Sequence, residues 1–126
     1  MAANDGRVEQ TIAAVATKTE LTDTERATLR RAVPKLDELT DAQGYLLEPD
    51  RLELLALHVV TVLRRVAADQ PLEPFDEAMF DQVSPQSMEL AHELLAAVEP
   101  GATQREEDFL IAVHLDTAKL LERNEL

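Results

Sequence analysis

His58 and His114 are the side chains in this sequence best suited to nucleophilic or proton-transfer chemistry, because imidazole titrates near neutral pH and its unprotonated nitrogen is a nucleophile. Each has a charged residue two helical turns away on its own face. Arg65 follows His58 by seven positions and Glu107 precedes His114 by seven, about 10 Å of helical rise in each case. An arginine so placed can approach a negative charge built on His58. A carboxylate near His114 can fix its tautomer and raise the basicity of the distal nitrogen, which is what a nucleophilic histidine requires. Against this, a histidine bordering an apolar stripe is more often a packing residue than a reactive one. His92, between Ala91 and Glu93, reads as a partly exposed surface residue.

Helices must position these groups. The chain has three glycines and no Asn-Gly or Asp-Gly hairpin signal, while aliphatic residues recur at spacings of three and four, so the expected fold class is all-α. Capping-box spacing marks helix starts at Thr22 with Glu25, Asp50 with Glu53 and Thr103 with Glu106. Ser84 followed by Pro85 marks another, and Gly44, Pro71 and Pro100-Gly101 are stops. These signals predict helices near 7–18, 23–43, 51–68, 85–98 and 104–123, with a short one within 75–82. Pro34 should kink or split the second, since its ring clashes with the preceding turn. In helix 51–68 the core stripe reads Leu52, Leu55, Val59, Leu63 and Val66, with His58 beside it. In helix 104–123 it reads Phe109, Val113, Leu120 and Leu121.

Composition removes several classes of function. The net charge is −13, and residues 66–126 hold 14 acidic against 3 basic side chains. Such a chain repels phosphate backbones, so direct nucleic-acid binding is not expected. With no cysteine there is no thiolate metal site and no disulfide. Neither a secretory signal nor a membrane span is expected, which makes cytoplasmic the default location. At 126 residues, 45 % apolar and 3 % aromatic, one aliphatic core and one helical bundle are expected.

Two segments carry a resemblance to a known family. Leu55 to Arg65, reading LALHVVTVLRR, resembles the first histidine helix of the PRD, the phosphotransferase-system (PTS) regulation domain of bacterial antiterminators and activators. Glu107 to Leu115, reading EDFLIAVHL, resembles its second, and Met88 to Val98 its fourth helix. The likeness covers roughly residues 23–121 and is greatest to small stand-alone PRD proteins. It implies a five-helix PRD-like bundle over 23–126, preceded by an extension, 1–22, that adds a short N-terminal helix. It also implies a homodimer, and phosphorylation of His58 and His114 by HPr or a PTS enzyme II subunit. Arg65, with Arg64, would compensate the phosphoryl charge near His58, Glu107 would support His114, and output would pass to a regulatory or metabolic protein partner. No cofactor or metal is implied. The family often has Asp directly before the first histidine, whereas this chain has Leu57, so His114 is the better-matched acceptor.

Two other readings compete. One is a non-phosphorylated PRD-fold domain used for dimerisation or as a scaffold. The other, a metal-dependent hydrolase, lacks both a His-Glu-x-x-His motif and any pair of histidines at i, i+4. A non-enzymatic role is therefore expected.

Overall fold

The computed structural model describes residues 5–45, 47–99 and 104–124, with backbone alone at 5 and 119–124. Six helices follow one another: α1 (Asp5–Ala16), α2 (Asp23–Ala42), α3 (Pro49–Ala67), α4 (Glu77–Phe80), α5 (Pro85–Val98) and α6 (Arg105–Asn124). No strand occurs among the described residues, so the all-α expectation holds. No helix there is long and apolar enough to cross a membrane.

The helix ends follow local chemistry. At the start of α2 the Thr22 hydroxyl accepts from the Glu25 N–H at 3.1 Å, and the Glu25 carboxylate accepts from the Thr22 N–H at 2.9 Å, closing the expected capping box. Ser84 caps α5 by accepting from the Ser87 N–H, with Pro85 in the first turn. The expected box at Asp50 does not form. Helix α3 begins at Pro49 after Glu48, with no side-chain cap, because proline supplies a preset φ and has no N–H to satisfy. Glu53 pairs instead with Lys18 of the α1–α2 connection. Thr103, Pro100 and Gly101 lie outside the described residues.

Both α2 and α3 stop in a Schellman motif. After α2, Gly44 N–H donates to Asp41 C=O and Tyr45 N–H to Thr40 C=O, with Gly44 at φ +82°. After α3, Asp69 N–H donates to Val66 C=O and Gln70 N–H to Arg65 C=O, and Asp69 occupies the left-handed position at φ +54°. Pro71 follows one residue later. Pro34 does not split α2, which runs unbroken past it and buries Leu29, Ala32, Val33 and Leu36.

A single core runs through α1, α2, α3, α5 and α6. Helix α1 enters it with Val8, Ile12 and Val15. Helix α3 is buried on two sides, by α1 and α2 on one and α6 on the other, so its core set widens to Leu52, Leu55, Ala56, Val59, Val60 and Val62. Val66, expected inside, is 37 % exposed and lies on the wall of an open cleft with Asp69, Gln70 and Gln104. Val113, likewise expected inside, is 41 % exposed, and Ile111, Ala112, Leu115 and Ala118 take the core positions of α6 with Phe109. The stripe is rotated because α6 also turns two carboxylates, Glu107 and Asp108, inward. The side chains of Leu120 and Leu121 are not among those described. All three phenylalanines of the chain meet in one cluster, Phe75, Phe80 and Phe109, with ring centroids 5.5–6.3 Å apart, which fastens the α4 segment over the start of α6.

The two left-handed caps make opposite predictions. Gly44→Ala meets no atom within 4 Å, so its cost is conformational alone and should be about 1 kcal/mol. Asp69→Gly relieves the corresponding strain and should raise stability. Chemical unfolding of both variants measures the two signs.

Candidate functional site

Helices α3 and α6 meet along an antiparallel seam on which charged and imidazole side chains alternate. On α3 the contributors are Arg51, His58 and Arg65, each seven residues from the next; on α6 they are Glu107 and His114, also seven apart. Seven residues come within about 20° of two full helical turns, so each series stays on one face. Because the helices run in opposite directions, the series interleave as Arg51, His114, His58, Glu107, Arg65.

Contacts follow that order. Arg51 Nη1 lies 3.1 Å from His114 Nδ1. The rings of His114 and His58 stand edge to face with centroids 6.1 Å apart. His58 Nε2 lies 3.9 Å from Glu107 Oε1, a distance for charge interaction and not for a hydrogen bond. Arg65 closes the series with two parallel bonds to Glu107, Nε to Oε2 at 2.7 Å and Nη2 to Oε1 at 2.6 Å. Such a fork suits a buried carboxylate: Glu107 is only 3 % exposed, and its charge would be costly without a bidentate partner.

Burial keeps both imidazoles neutral at physiological pH. It pushes His58 down to about 4, outweighing the opposing pull of Glu107. His114 is lowered by burial and by the Arg51 guanidinium. Both rings therefore retain an unprotonated nitrogen. The Arg65–Glu107 pair forms part of the wall of an open cleft of about 150 Å³, lined also by Asp69, Gln70, Pro71 and Gln104.

The sequence-based site is partly rearranged. His58 and His114 do come together, and Arg65 and Glu107 lie beside them. Glu107, however, reaches across the seam to Arg65 and His58, and the residue bonded to His114 is Arg51. Arg64 does not compensate charge near His58. Six residues of helix turn it about 120° away from that face, and there it binds Glu25 at 2.8 Å, Thr19 at 2.8 Å and the Glu20 carbonyl at 2.6 Å. It clasps α3 to the start of α2 and holds the Glu25 carboxyl down at about 2. Arg51 escaped the sequence reading although the signal was present, since it precedes His58 by the same seven residues by which Arg65 follows. His92 is exposed, as expected, and lies 3.0 Å from the buried Asp108 carboxylate on the α5 side of α6. Among the described residues no group of three or more His, Cys, Asp or Glu side chains is arranged to hold a metal ion.

Two measurements test this arrangement. Arg65→Met strands the buried Glu107 charge and should cost about 3 kcal/mol, while Arg65→Met with Glu107→Leu should recover most of that loss; denaturant unfolding of both variants decides it. Acid supplies the second. Between pH 6.5 and about 4 the unfolded chain binds a proton at His58 that the native fold does not, so stability falls as pH is lowered through that window, by up to about 3 kcal/mol. His58→Gln should flatten the dependence, as read from unfolding free energies at pH 7 and pH 4.5. Compared with protein-family models, with curated proteins and with solved structures, the chain matches none.

Proposed function

We propose that this protein is a PTS-linked regulatory module of the PRD kind, in which a phosphoryl group passes from HPr or an enzyme II subunit to the histidines of the α3–α6 seam. The observation that carries the reading is the meeting of two neutral imidazoles from different helices in one seam, with a guanidinium at each end of the series. Neutral imidazole is the nucleophilic form. Its lone pair attacks phosphorus, the donor nitrogen leaves with the bonding pair, and the product adds up to two negative charges to a packed interface.

That charge arrives beside an ion pair already in balance. A phosphoryl group near His58 faces the Glu107 carboxylate, repels it and competes for Arg65, so the packing of α3 against α6 has to readjust. His114 is the stronger acceptor of the two, because the cation bonded to it pairs with no carboxylate among the described residues. Leu54 and Val113 are exposed apolar residues flanking the two histidines, at 37 % and 41 %, and would form part of the surface of a homodimer or of a contact with a regulatory or metabolic partner in the cytoplasm. On this reading the protein is a signal carrier and not an enzyme, and its acidic charge keeps it from nucleic acid.

One observation favours a second reading, a dimerisation or scaffold domain that is never phosphorylated: the Arg65–Glu107 pair neutralises the His58 end with no phosphoryl group needed. Incubation with enzyme I, HPr and labelled phosphoenolpyruvate separates the two. Acid-labile, alkali-stable label is expected on the wild type, mostly retained in His58→Ala and mostly lost in His114→Ala. A protein that takes no histidine-linked label, yet dimerises equally well with and without both substitutions, is the scaffold.

A further inference from the structure

The two histidines differ in what holds their ring nitrogens, and the difference selects an atom. Arg51 Nη1 lies 3.1 Å from His114 Nδ1. A guanidinium can only donate, so Nδ1 must present its lone pair and the ring proton must sit on Nε2. Arg51 Nε–H is buried and has no acceptor among the described residues, which leaves this guanidinium a donor to spare. At the other histidine neither condition holds. Among the described residues His58 Nε2 is buried without a hydrogen-bond partner, and Arg65, the guanidinium whose charge acts on it, already spends two donors on Glu107. Arg51 and Arg65 stand roughly 21 Å apart along α3, so the two cannot serve one anion.

We propose that Arg51 is the positioning residue of His114: it fixes the Nε2–H tautomer, makes Nδ1 the atom that accepts the phosphoryl group, and then holds a phosphoryl oxygen. This assignment rests on the phosphoryl-transfer reading above. In the step, the Nδ1 lone pair forms the N–P bond while the bond from phosphorus to the donor's imidazole nitrogen breaks and its electron pair stays on the donor. Arg51 moves its N–H groups from Nδ1 to the oxygens of the arriving group. The His114 proton remains on Nε2, so no proton need cross during transfer, and the product is the Nδ1 isomer of phosphohistidine. The guanidinium is a guide before transfer and a counter-charge after it.

Long-range ¹⁵N–¹H correlation spectra of histidine-labelled protein test the tautomer without any donor. The wild type should show His114 Nδ1 unprotonated and hydrogen-bonded. In Arg51→Met its resonance should move downfield as that bond is lost, and Arg51→Lys, whose ammonium also only donates, should restore it. Phosphorylation by enzyme I, HPr and phosphoenolpyruvate, with isomer-specific phosphohistidine detection, tests the atom. Nδ1-linked label on His114 is expected, lowered roughly tenfold in Arg51→Met by loss of a charge-assisted bond and largely rescued in Arg51→Lys. A proton on Nδ1 in the unmodified protein, or label on Nε2 of His114, overturns the assignment. The expected tautomer with no label on any histidine overturns instead the phosphoryl-transfer reading beneath it.

Discussion

The charge of Glu107, buried against α3, sets the terms for the whole α3–α6 seam. A carboxylate 3 % exposed is costly to bury beside aliphatic side chains unless a cation meets its oxygens. Arg65 does so, and the fork geometry leaves little freedom in how the two helices face each other. Once that pair is locked, the seven-residue spacing carries the remaining contacts with it. His58 is brought to Glu107, His114 to His58, and Arg51 to His114. One ion pair thus sets the register of five side chains.

Helix α6 is held in rotation by three acids that face three different places. Glu107 meets Arg65 of α3. Asp108, one residue on and also buried, meets His92 of α5. Asp116 accepts from Ser84 N–H at 2.8 Å, from the Ser84 hydroxyl at 2.8 Å and from the Ser87 hydroxyl at 2.5 Å, while Tyr45 contacts Ser87 at 2.9 Å. Apolar packing is non-directional and would tolerate a small rotation of the helix; these polar contacts would not. The acidic second half of the chain is therefore not only a solvated surface. Part of its charge is structural, and it is what turns Val113 outward and Ile111 inward.

The same burial that makes Glu107 need Arg65 keeps the histidines uncharged. Desolvation disfavours imidazolium at both rings, and the guanidinium on His114 adds to it. On the proposed function, both rings are in the form that accepts a phosphoryl group, with Arg51 and Arg65 near them before any charge arrives. A charge added at the seam then competes for these guanidinium groups and is felt as a change in how α3 packs on α6.

By itself the sequence determined most of the local structure. The Thr22–Glu25 box, the Ser84-Pro85 start and the Gly44 stop depend on atoms within a few residues of one another, so their outcome did not need the rest of the fold. The pairing of His58 with Arg65 on one face was legible for the same reason, and so was the all-α class. Other features depended on which neighbours a helix has. Val66 and Val113 were left outside, Arg64 turned to α2, and Glu107 looked across the seam instead of along its own helix. Only the tertiary structure could decide these, because helical periodicity says which residues share a face but not which other helix that face will meet. Arg51 shows the boundary between the two. Its place in the seven-residue series is written in the sequence, but its partner lies 63 residues away, and only the antiparallel docking of α6 supplies it.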